Sequence, residues 1–218
     1  MRAILQIIAI MTAMDAVLFG AAGRLDWTAA WVVTAMYAAF LLLILASAPP
    51  GLMEERSRTK APNTKAWDIA IGIIYLTLSL AFLATAGLDA RFHWSAIPSA
   101  AQVAAGVSSV AFGGVLWRTV AVNPFLSRFA RIQDDRGQTV VQSGPYAYVR
   151  HPMYAAVIPL MLCIALMLGS LWTLIPAACI GVLLAVRTAL EDRMLRRELP
   201  GYADYAQRVR YRLMPGLW

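Results

Sequence analysis

The chain has 218 residues, of which 60% are hydrophobic and only 14% are charged. This composition, with a mean hydropathy of +0.63, lies outside the balance of a soluble domain and indicates an integral membrane protein. The net charge of +7 does not favour a nucleic-acid partner, because the basic residues stand at the ends of apolar runs and form no separate basic domain; anionic lipid headgroups explain the charge better.

Four apolar runs predict four membrane-spanning helices. They occupy residues 3–22, 27–48, 67–88 and 98–122, and about 20 apolar residues are enough for a helix to cross a bilayer core. The first run contains Gln6 and Asp15 and has the length of a span, so it reads as a retained helix and not as a signal peptide. We expect Asp15 to form a hydrogen bond between helices.

A fifth apolar region, residues 152–187, is interrupted by LGSLW at 168–172. Each half has about 16 residues, which is short for an independent span, so the region predicts a tight helical hairpin. Cys163 and Cys179 lie inside apolar runs, which predicts buried thiols and not a disulfide or half of a metal site. The expected fold is all-α: a polytopic membrane protein of one domain, 1–218, with four spanning helices, a C-terminal hairpin and a cytoplasmic tail.

The distribution of Lys and Arg predicts the orientation in an inner or cell membrane. With the N-terminus inside, 17 of the 19 basic residues face the cytoplasm and only Arg24 and Arg91 lie outside, as the positive-inside rule requires. Both termini and the segments 49–66 and 123–151 are then cytoplasmic, and 49–66 reads as a solvated loop that could cover a site. We find no internal repeat of the kind seen in many transporters, which disfavours a carrier.

The sequence GPYAYVRHPMY, residues 144–154, combines a turn, aromatic residues and a helix start. Pro152 suits the first position of a helix, and the positive end of that helix favours an anion. Tyr154, three residues after His151, falls on the same helical face. The upstream Gly-Pro turn presents two aromatic faces, Tyr146 and Tyr148. Together these residues predict a small polar pocket at the membrane border.

A plain structural explanation exists for each of these residues taken alone. Arg150 and Tyr148 could anchor the chain at the bilayer surface, and His151 could bond a loop carbonyl. The set as a whole is harder to explain in this way, because an anchor needs neither a Gly-Pro turn nor an ordered Arg-His-Pro helix start.

A second set lies in VRTALEDRMLRRELPGYADY, residues 186–205. Arg187 and Glu191 are four residues apart and share one helical face. Ionisable residues at the edge of a span are costly and usually mark a site, so we assign this pair a function. The hairpin should bring the pair back toward His151. The later basic residues read as a stripe that reaches toward the membrane surface: Arg193, Arg196 and Arg197.

The stretches QTVVQSGPYAYVRHPMY, RTALED and LPGYADYAQRVRYRLMPGLW together resemble the isoprenylcysteine carboxyl methyltransferase family and its phospholipid N-methyltransferase relatives. The resemblance covers about residues 113–218 and leaves 1–112 as undiagnostic N-terminal helices. It implies that S-adenosylmethionine binds in a cytosol-facing pocket of the C-terminal half. It also implies that a lipid-like acceptor enters from the bilayer.

The resemblance implies individual roles as well. The family's H-x-L-V cofactor stretch falls on residues 138–141, where a glutamine replaces the histidine. Arg187 takes the position of the arginine that faces the acceptor and is the predicted catalytic residue, and Arg118 matches a recurrent arginine of unassigned role. The implied cofactor-binding residues are Gln138, Val140, Val141, Tyr146, His151, Pro152, Met153, Tyr154 and Glu191.

The chemistry favours an anionic acceptor such as the carboxylate of a prenylcysteine-type substrate. A carboxylate is already ionised at neutral pH, and Arg187 could hold it with two hydrogen bonds. The alternatives are a phospholipid N-methyltransferase, an NADPH-dependent reductase of the steroid-reductase type, which shares the R-H-P-x-Y helix, and a non-catalytic membrane protein. Metal catalysis is disfavoured, since the chain has two histidines, His93 and His151. The expected partners are membrane lipids and a lipid-like acceptor.

Overall fold

The computed structural model describes residues 2–58 and 61–218, and within those ranges it contains helices and turns but no strand. Five helices are long and apolar enough to cross a membrane, so the predicted all-α membrane fold is confirmed. The helices are α1 (Arg2–Ala22), α2 (Thr28–Ser47), α3 (Leu52–Ser57), α4 (Ala66–Phe92), α5 (Ser99–Val122), α6 (Pro152–Met167), α7 (Leu174–Glu198) and α8 (Tyr202–Arg208). Two short 3-10 turns, Asp134–Arg136 and Gly144–Ala147, lie between α5 and α6.

The predicted hairpin is formed by α6 and α7, which pack against each other. The prediction of a short arm is correct for α6, which has 16 residues. It is wrong for α7, which has 25 residues and continues to Glu198. The charged stretch after Arg187 remains helical because its Leu, Glu, Arg and Met residues are good helix formers. The second arm is therefore long enough to cross the membrane and extend beyond it.

The N-terminal helices pack closely through small residues. A Cβ atom on Gly87 of α4 would lie 2.5 Å from the carbonyl oxygen of Leu18 and 2.7 Å from Cβ of Ala21, both on α1. A glycine at this crossing allows the two backbones to approach. Asp15 of α1 accepts a hydrogen bond of 2.8 Å from Thr34 of α2, which confirms the helix–helix bond expected of this residue.

At the end of the bundle opposite α8, Asp89 joins α4 to the hairpin turn. Its carboxylate accepts hydrogen bonds from the backbone N–H of Ser95 and from the hydroxyl of Ser170, at 2.8 and 2.5 Å. His93 follows α4 in the left-handed conformation. Since a buried carboxylate needs hydrogen-bond donors, Asp89 fixes the position of the α6–α7 turn.

Both cysteines are free thiols, but only part of the prediction for them holds. Cys163 is half-buried, whereas Cys179 is exposed on α7. The expectation of burial is wrong for Cys179, because in a membrane protein an apolar run shows that a helix is surrounded by apolar groups, and lipid supplies these groups as well as protein does.

The segment 49–66 is not the solvated loop that the sequence predicts. It contains α3, where Leu52 is fully buried and Glu55 is 1% exposed. Glu55 accepts hydrogen bonds of 3.1 and 3.0 Å from Arg131, on the segment between α5 and α6. Burial raises the pKa of Glu55, but hydrogen bonds from Arg131 and Ser127 outweigh it, so its pKa lies below the usual value. Thr59 and Lys60 of this loop lie outside the described residues.

Candidate functional site

One cavity lies where the two ends of the hairpin meet. Its walls come from the segment between α5 and α6, the first turn of α6, the C-terminal half of α7, and α8. The structure brings nine of the ten predicted site residues into this lining: Gln138, Val140, Val141, Tyr146, His151, Met153, Tyr154, Arg187 and Glu191. Pro152 is buried at the helix start beside the cavity.

The first wall is built by the turn before α6. Gly144 has a φ of +59°, and a Cβ atom there would lie 3.3 Å from Val122, so this turn requires glycine in both conformation and space. The turn buries Tyr146, whose hydroxyl oxygen accepts a 2.6 Å hydrogen bond from Asn123. Tyr148 is 74% exposed and lies outside the lining. The expectation that both tyrosines form the pocket is therefore wrong for Tyr148, because the turn points the two rings in different directions.

The helix starts as predicted, with His151 before α6 and Pro152 at its first position. One turn later, Tyr154 donates a 2.8 Å hydrogen bond to Glu191 on α7. The rings of His151 and Tyr154 are nearly parallel with centroids 6.1 Å apart, and the guanidinium of Arg187 lies 5.7 Å from the centre of the Tyr154 ring. Tyr154 thus contacts both polar residues of α7 across the hairpin.

Arg187 has a partner that the sequence interpretation missed. Its Nη2 lies 2.7 Å from Oδ1 of Asp68, a residue in the first turn of α4 that is 2% exposed. The other oxygen of Asp68 accepts a 2.8 Å bond from the backbone N–H of Ala130. The N-terminal half of the chain therefore contributes a charged group to the site. An acidic residue at a helix start is common for local reasons, so nothing in the local sequence indicated this distant contact.

Two buried polar atoms of the Arg187–Asp68 pair lack a hydrogen-bond partner among the described residues. The contact of Asp68 Oδ1 is ionic and lacks hydrogen-bond alignment, and Nε of Arg187 has no hydrogen-bond partner among the described residues. A buried donor without a partner is costly. Arg187 therefore keeps one N–H group for a further acceptor.

A second residue that the sequence interpretation missed is Asp192, whose carboxylate connects α7 to neighbouring segments of the site. It is completely buried and accepts a 2.7 Å hydrogen bond from Nε of Arg150. Arg150 is itself buried and also donates to two backbone carbonyls after α8, so the explanation of Arg150 as a surface anchor is wrong. The remaining groups within 3.5 Å of the Asp192 carboxylate belong to His151, Arg196, Tyr202 and Arg212.

The last wall comes from α8 and the residues after it. The hydroxyl of Tyr205 donates a 2.7 Å bond to the backbone oxygen of Tyr146, and the backbone N–H of His151 donates to the carbonyl of Arg212 at 2.9 Å. Burial raises the pKa of Tyr202 and Tyr205, so both phenols stay neutral at pH 7. The G-Y-x-x-Y tail closes the cavity.

The lining combines acidic, aromatic and backbone groups that can contact a ligand. It contains one carboxylate, Glu191, several aromatic rings, and the start of a helix at His151. The side chain of Gln138 is used within its own loop, where Oε1 accepts a 2.7 Å bond from the backbone of Gln133. The backbone of residues 138–141 remains the part of this stretch that suits a ligand.

Comparison with known proteins bears on the same region. No curated protein matches the chain. Residues 101–200 match the family model described as phospholipid methyltransferase, a little under half of the chain. This family belongs to the same membrane methyltransferase superfamily as the isoprenylcysteine carboxyl methyltransferases. The match begins in α5 and ends just after α7, so the part of the chain that contains both arms of the hairpin is similar to membrane methyltransferases that act on lipids.

Proposed function

We propose that this chain is an integral-membrane methyltransferase that uses S-adenosylmethionine and an amphipathic, lipid-like acceptor. The observation that supports it best is a single cavity lined by His151 and Tyr154 from one arm of the hairpin and by Arg187 and Glu191 from the other. These residues lie within the stretch that matches phospholipid methyltransferases.

The residues fit this cofactor by charge. S-adenosylmethionine supplies a methyl group on a positively charged sulfur. In our proposal Glu191 balances this charge, and the rings of Tyr146 and Tyr154 present their negative faces to it. The start of α6 at His151 suits the carboxylate end of the same molecule, because free amides and the helix dipole favour an anion there.

The protein's main contribution to the reaction is alignment and exclusion of water. Orientation of two reactants can account for about 7–11 kcal/mol of a barrier, and the buried rings of Tyr146, Tyr202 and Tyr205 keep this part of the cavity away from solvent. No nucleophilic side chain is required. With a carboxylate as acceptor, no general base is required either.

We consider two acceptors. A prenylcysteine-type carboxylate follows from the resemblance of the C-terminal motifs and would be held by Arg187. A phospholipid amine is favoured by the family match and by the 2.7 Å contact of Arg187 with Asp68, since the carboxylate offsets the charge that would repel an amine as it is methylated.

We also place the cavity at the cytoplasmic side of the membrane. The support is the distribution of basic residues along the sequence, which assigns 17 of 19 to the cytoplasmic side and only Arg24 and Arg91 to the other side.

The test is methyl transfer by the purified full-length chain in lipid nanodiscs. Methyl-labelled S-adenosylmethionine is supplied with a synthetic prenylcysteine or with phosphatidylethanolamine, and the labelled product is identified. Labelling of one acceptor selects between the two reactions. If calorimetry detects binding of NADPH and not of S-adenosylmethionine, the reductase replaces the methyltransferase; if neither binds, the chain is not this kind of enzyme.

A further inference from the structure

Three arginines meet at one corner of the site, beside the segment 126–128. Nη1 of Arg56, on α3, donates a 3.1 Å hydrogen bond to the carbonyl oxygen of Leu126. Nη2 of Arg187, on α7, donates a 2.9 Å bond to the carbonyl oxygen of Arg128. We call Arg56, Arg128 and Arg187 the arginine corner.

The charges of the arginine corner are only partly balanced. Arg187 is paired with Asp68 at 2.7 Å. Arg56 and Arg128 form no ion pair within 4 Å in the parts of the chain that the structure describes. The unbalanced positive charge therefore belongs to Arg56 and Arg128.

The position of Arg56 makes this excess charge costly. Its side chain is half-buried, and burial lowers its pKa, as does the positive charge of Arg128 close by. The nearby side chains of Tyr154 and Tyr37 act to raise the pKa of Arg56, but their effect is smaller. A charge that is partly removed from water and lies near a like charge, as that of Arg56 does, is unfavourable unless an anion joins it; Arg128 is exposed and can turn toward such an anion.

The corner adjoins the cavity. Leu126, Ser127 and Arg187 line the cavity, and Arg56 is joined to this wall by its hydrogen bond to Leu126. Ile44 of α2, a membrane-spanning helix, packs in the same apolar cluster as Leu126, so α2 lies next to the corner. An anion held here would sit at the edge of the cavity and beside the membrane-spanning part of the protein.

We propose that Arg56 and Arg128, next to Arg187, bind the oxyanion of the acceptor, a phosphate or carboxylate carried on a lipid chain. Arginine suits this role, because its planar guanidinium can bond two oxygens of such a group at once. The inference rests on the proposed function and specifies the acceptor class: the acceptor carries a negative charge close to the atom that is methylated. It also assigns acceptor recognition to Arg56, which lies outside the segment that matches the methyltransferase family.

The test uses dodecyl phosphate as the probe, with the full-length chain in nanodiscs of zwitterionic lipid. Binding is measured by microscale thermophoresis for the wild type, Arg56→Gln, Arg128→Gln and the double variant. We expect each single change to weaken binding about tenfold, and Arg56→Lys to restore part of the loss. The matched control is Arg193→Gln, which removes the same charge from an exposed residue on α7.

Two further probes identify the source of the oxyanion. Dodecyltrimethylammonium should not compete with dodecyl phosphate, and inorganic phosphate should bind far more weakly. Inorganic phosphate that binds as tightly would assign the corner to a free anion and overturn its role in acceptor binding. Equal affinity of the wild type and the double variant for dodecyl phosphate would overturn the proposal altogether.

Calorimetry with S-adenosylmethionine separates this proposal from the proposed function. Variants of Arg56 and Arg128 that bind the cofactor normally are folded, so a loss of dodecyl phosphate binding in them is specific. If the wild type does not bind the cofactor but does bind dodecyl phosphate through Arg56 and Arg128, the methyltransferase assignment fails and the anion site remains.

Discussion

Arg187 contacts Asp68, Tyr154 and the carbonyl of Arg128 at the same time. We expect Arg187→Ala to abolish methyl transfer while cofactor affinity is mostly retained, because the residue faces the acceptor in our assignment. Asp68→Asn should lower kcat/KM about tenfold through KM for the acceptor, since it keeps Arg187 but removes its ionic partner. Turnover and calorimetry measure the two effects. Full activity of Arg187→Ala would refute the assignment.

Glu191 is the carboxylate that our proposal pairs with the positive charge of the cofactor. Glu191→Gln keeps the shape of the side chain and still accepts the hydrogen bond from Tyr154, but it loses the negative charge. We expect about tenfold weaker binding of S-adenosylmethionine, which corresponds to about 1.4 kcal/mol. The matched control is Tyr154→Phe, which removes the hydrogen bond and keeps the charge. Normal binding by Glu191→Gln together with weaker binding by Tyr154→Phe would show that the hydrogen bond and not the charge is what matters.

At the scale of helices, the close crossing of α1 and α4 depends on Gly87. Gly87→Ala places a methyl group 2.5 Å from a carbonyl oxygen of α1, so the helices must separate, and overpacking of this kind costs about 1–3 kcal/mol. The thermal midpoint in detergent should fall by several degrees. The control is Gly72→Ala on the same helix, where an added Cβ atom would meet no described atom within 4 Å beyond the adjoining helix backbone and chain neighbours. Equal thermal midpoints of the two variants would contradict the role of Gly87.

The short helix α3 is fastened by Glu55, and this contact depends on pH. The folded protein holds the pKa of Glu55 below its value in the unfolded chain. The contact therefore stabilises the protein fully above the unfolded pKa, near 4.5, and loses its effect as the pH falls below it through the lower, folded pKa.

Glu55→Gln should reduce the thermal midpoint at pH 7, because it leaves Arg131 buried with less negative charge around it. The variant should also lose less stability than the wild type between pH 4.5 and pH 3. Thermal melts at a series of pH values measure both effects. The control is Glu54→Gln at an exposed neighbouring position, and its thermal midpoint should depend on pH as that of the wild type does. If the midpoint of Glu55→Gln also follows the wild type across the pH series, Glu55 is not the source of this pH dependence.

At the scale of the whole molecule, Asp192 joins both arms of the hairpin to the C-terminal tail. Asp192→Asn weakens three ion pairs with arginines at once, so we expect loss of cofactor binding and faster tryptic cleavage after Arg208 and Arg210. Mass spectrometry of timed digests measures the cleavage. Asp204→Asn, an exposed change on α8, is the control, and unchanged digestion of the Asp192 variant would rule out this role.

The sequence predicted the elements better than the contacts between distant residues. The spans, the hairpin and the start of α6 at Pro152 follow from apolar length and proline chemistry, which are local properties. The meeting of His151 with the end of α7 follows from the hairpin alone. Asp68 and Asp192 could not be predicted, because each is one acidic residue among helix-end charges, and its partners are set by packing across the bundle.

The position of the site along the chain has a consequence for biosynthesis. α8 and the residues after it provide the final wall of the cavity and the arginine that reaches Asp192 from the tail. These residues leave the ribosome after α7 has been synthesised. A nascent chain in which α7 is inserted but which is still attached near residue 200 therefore lacks the last wall of the cavity, and in our proposal methyl transfer can begin only after α8 and the residues after it have been synthesised.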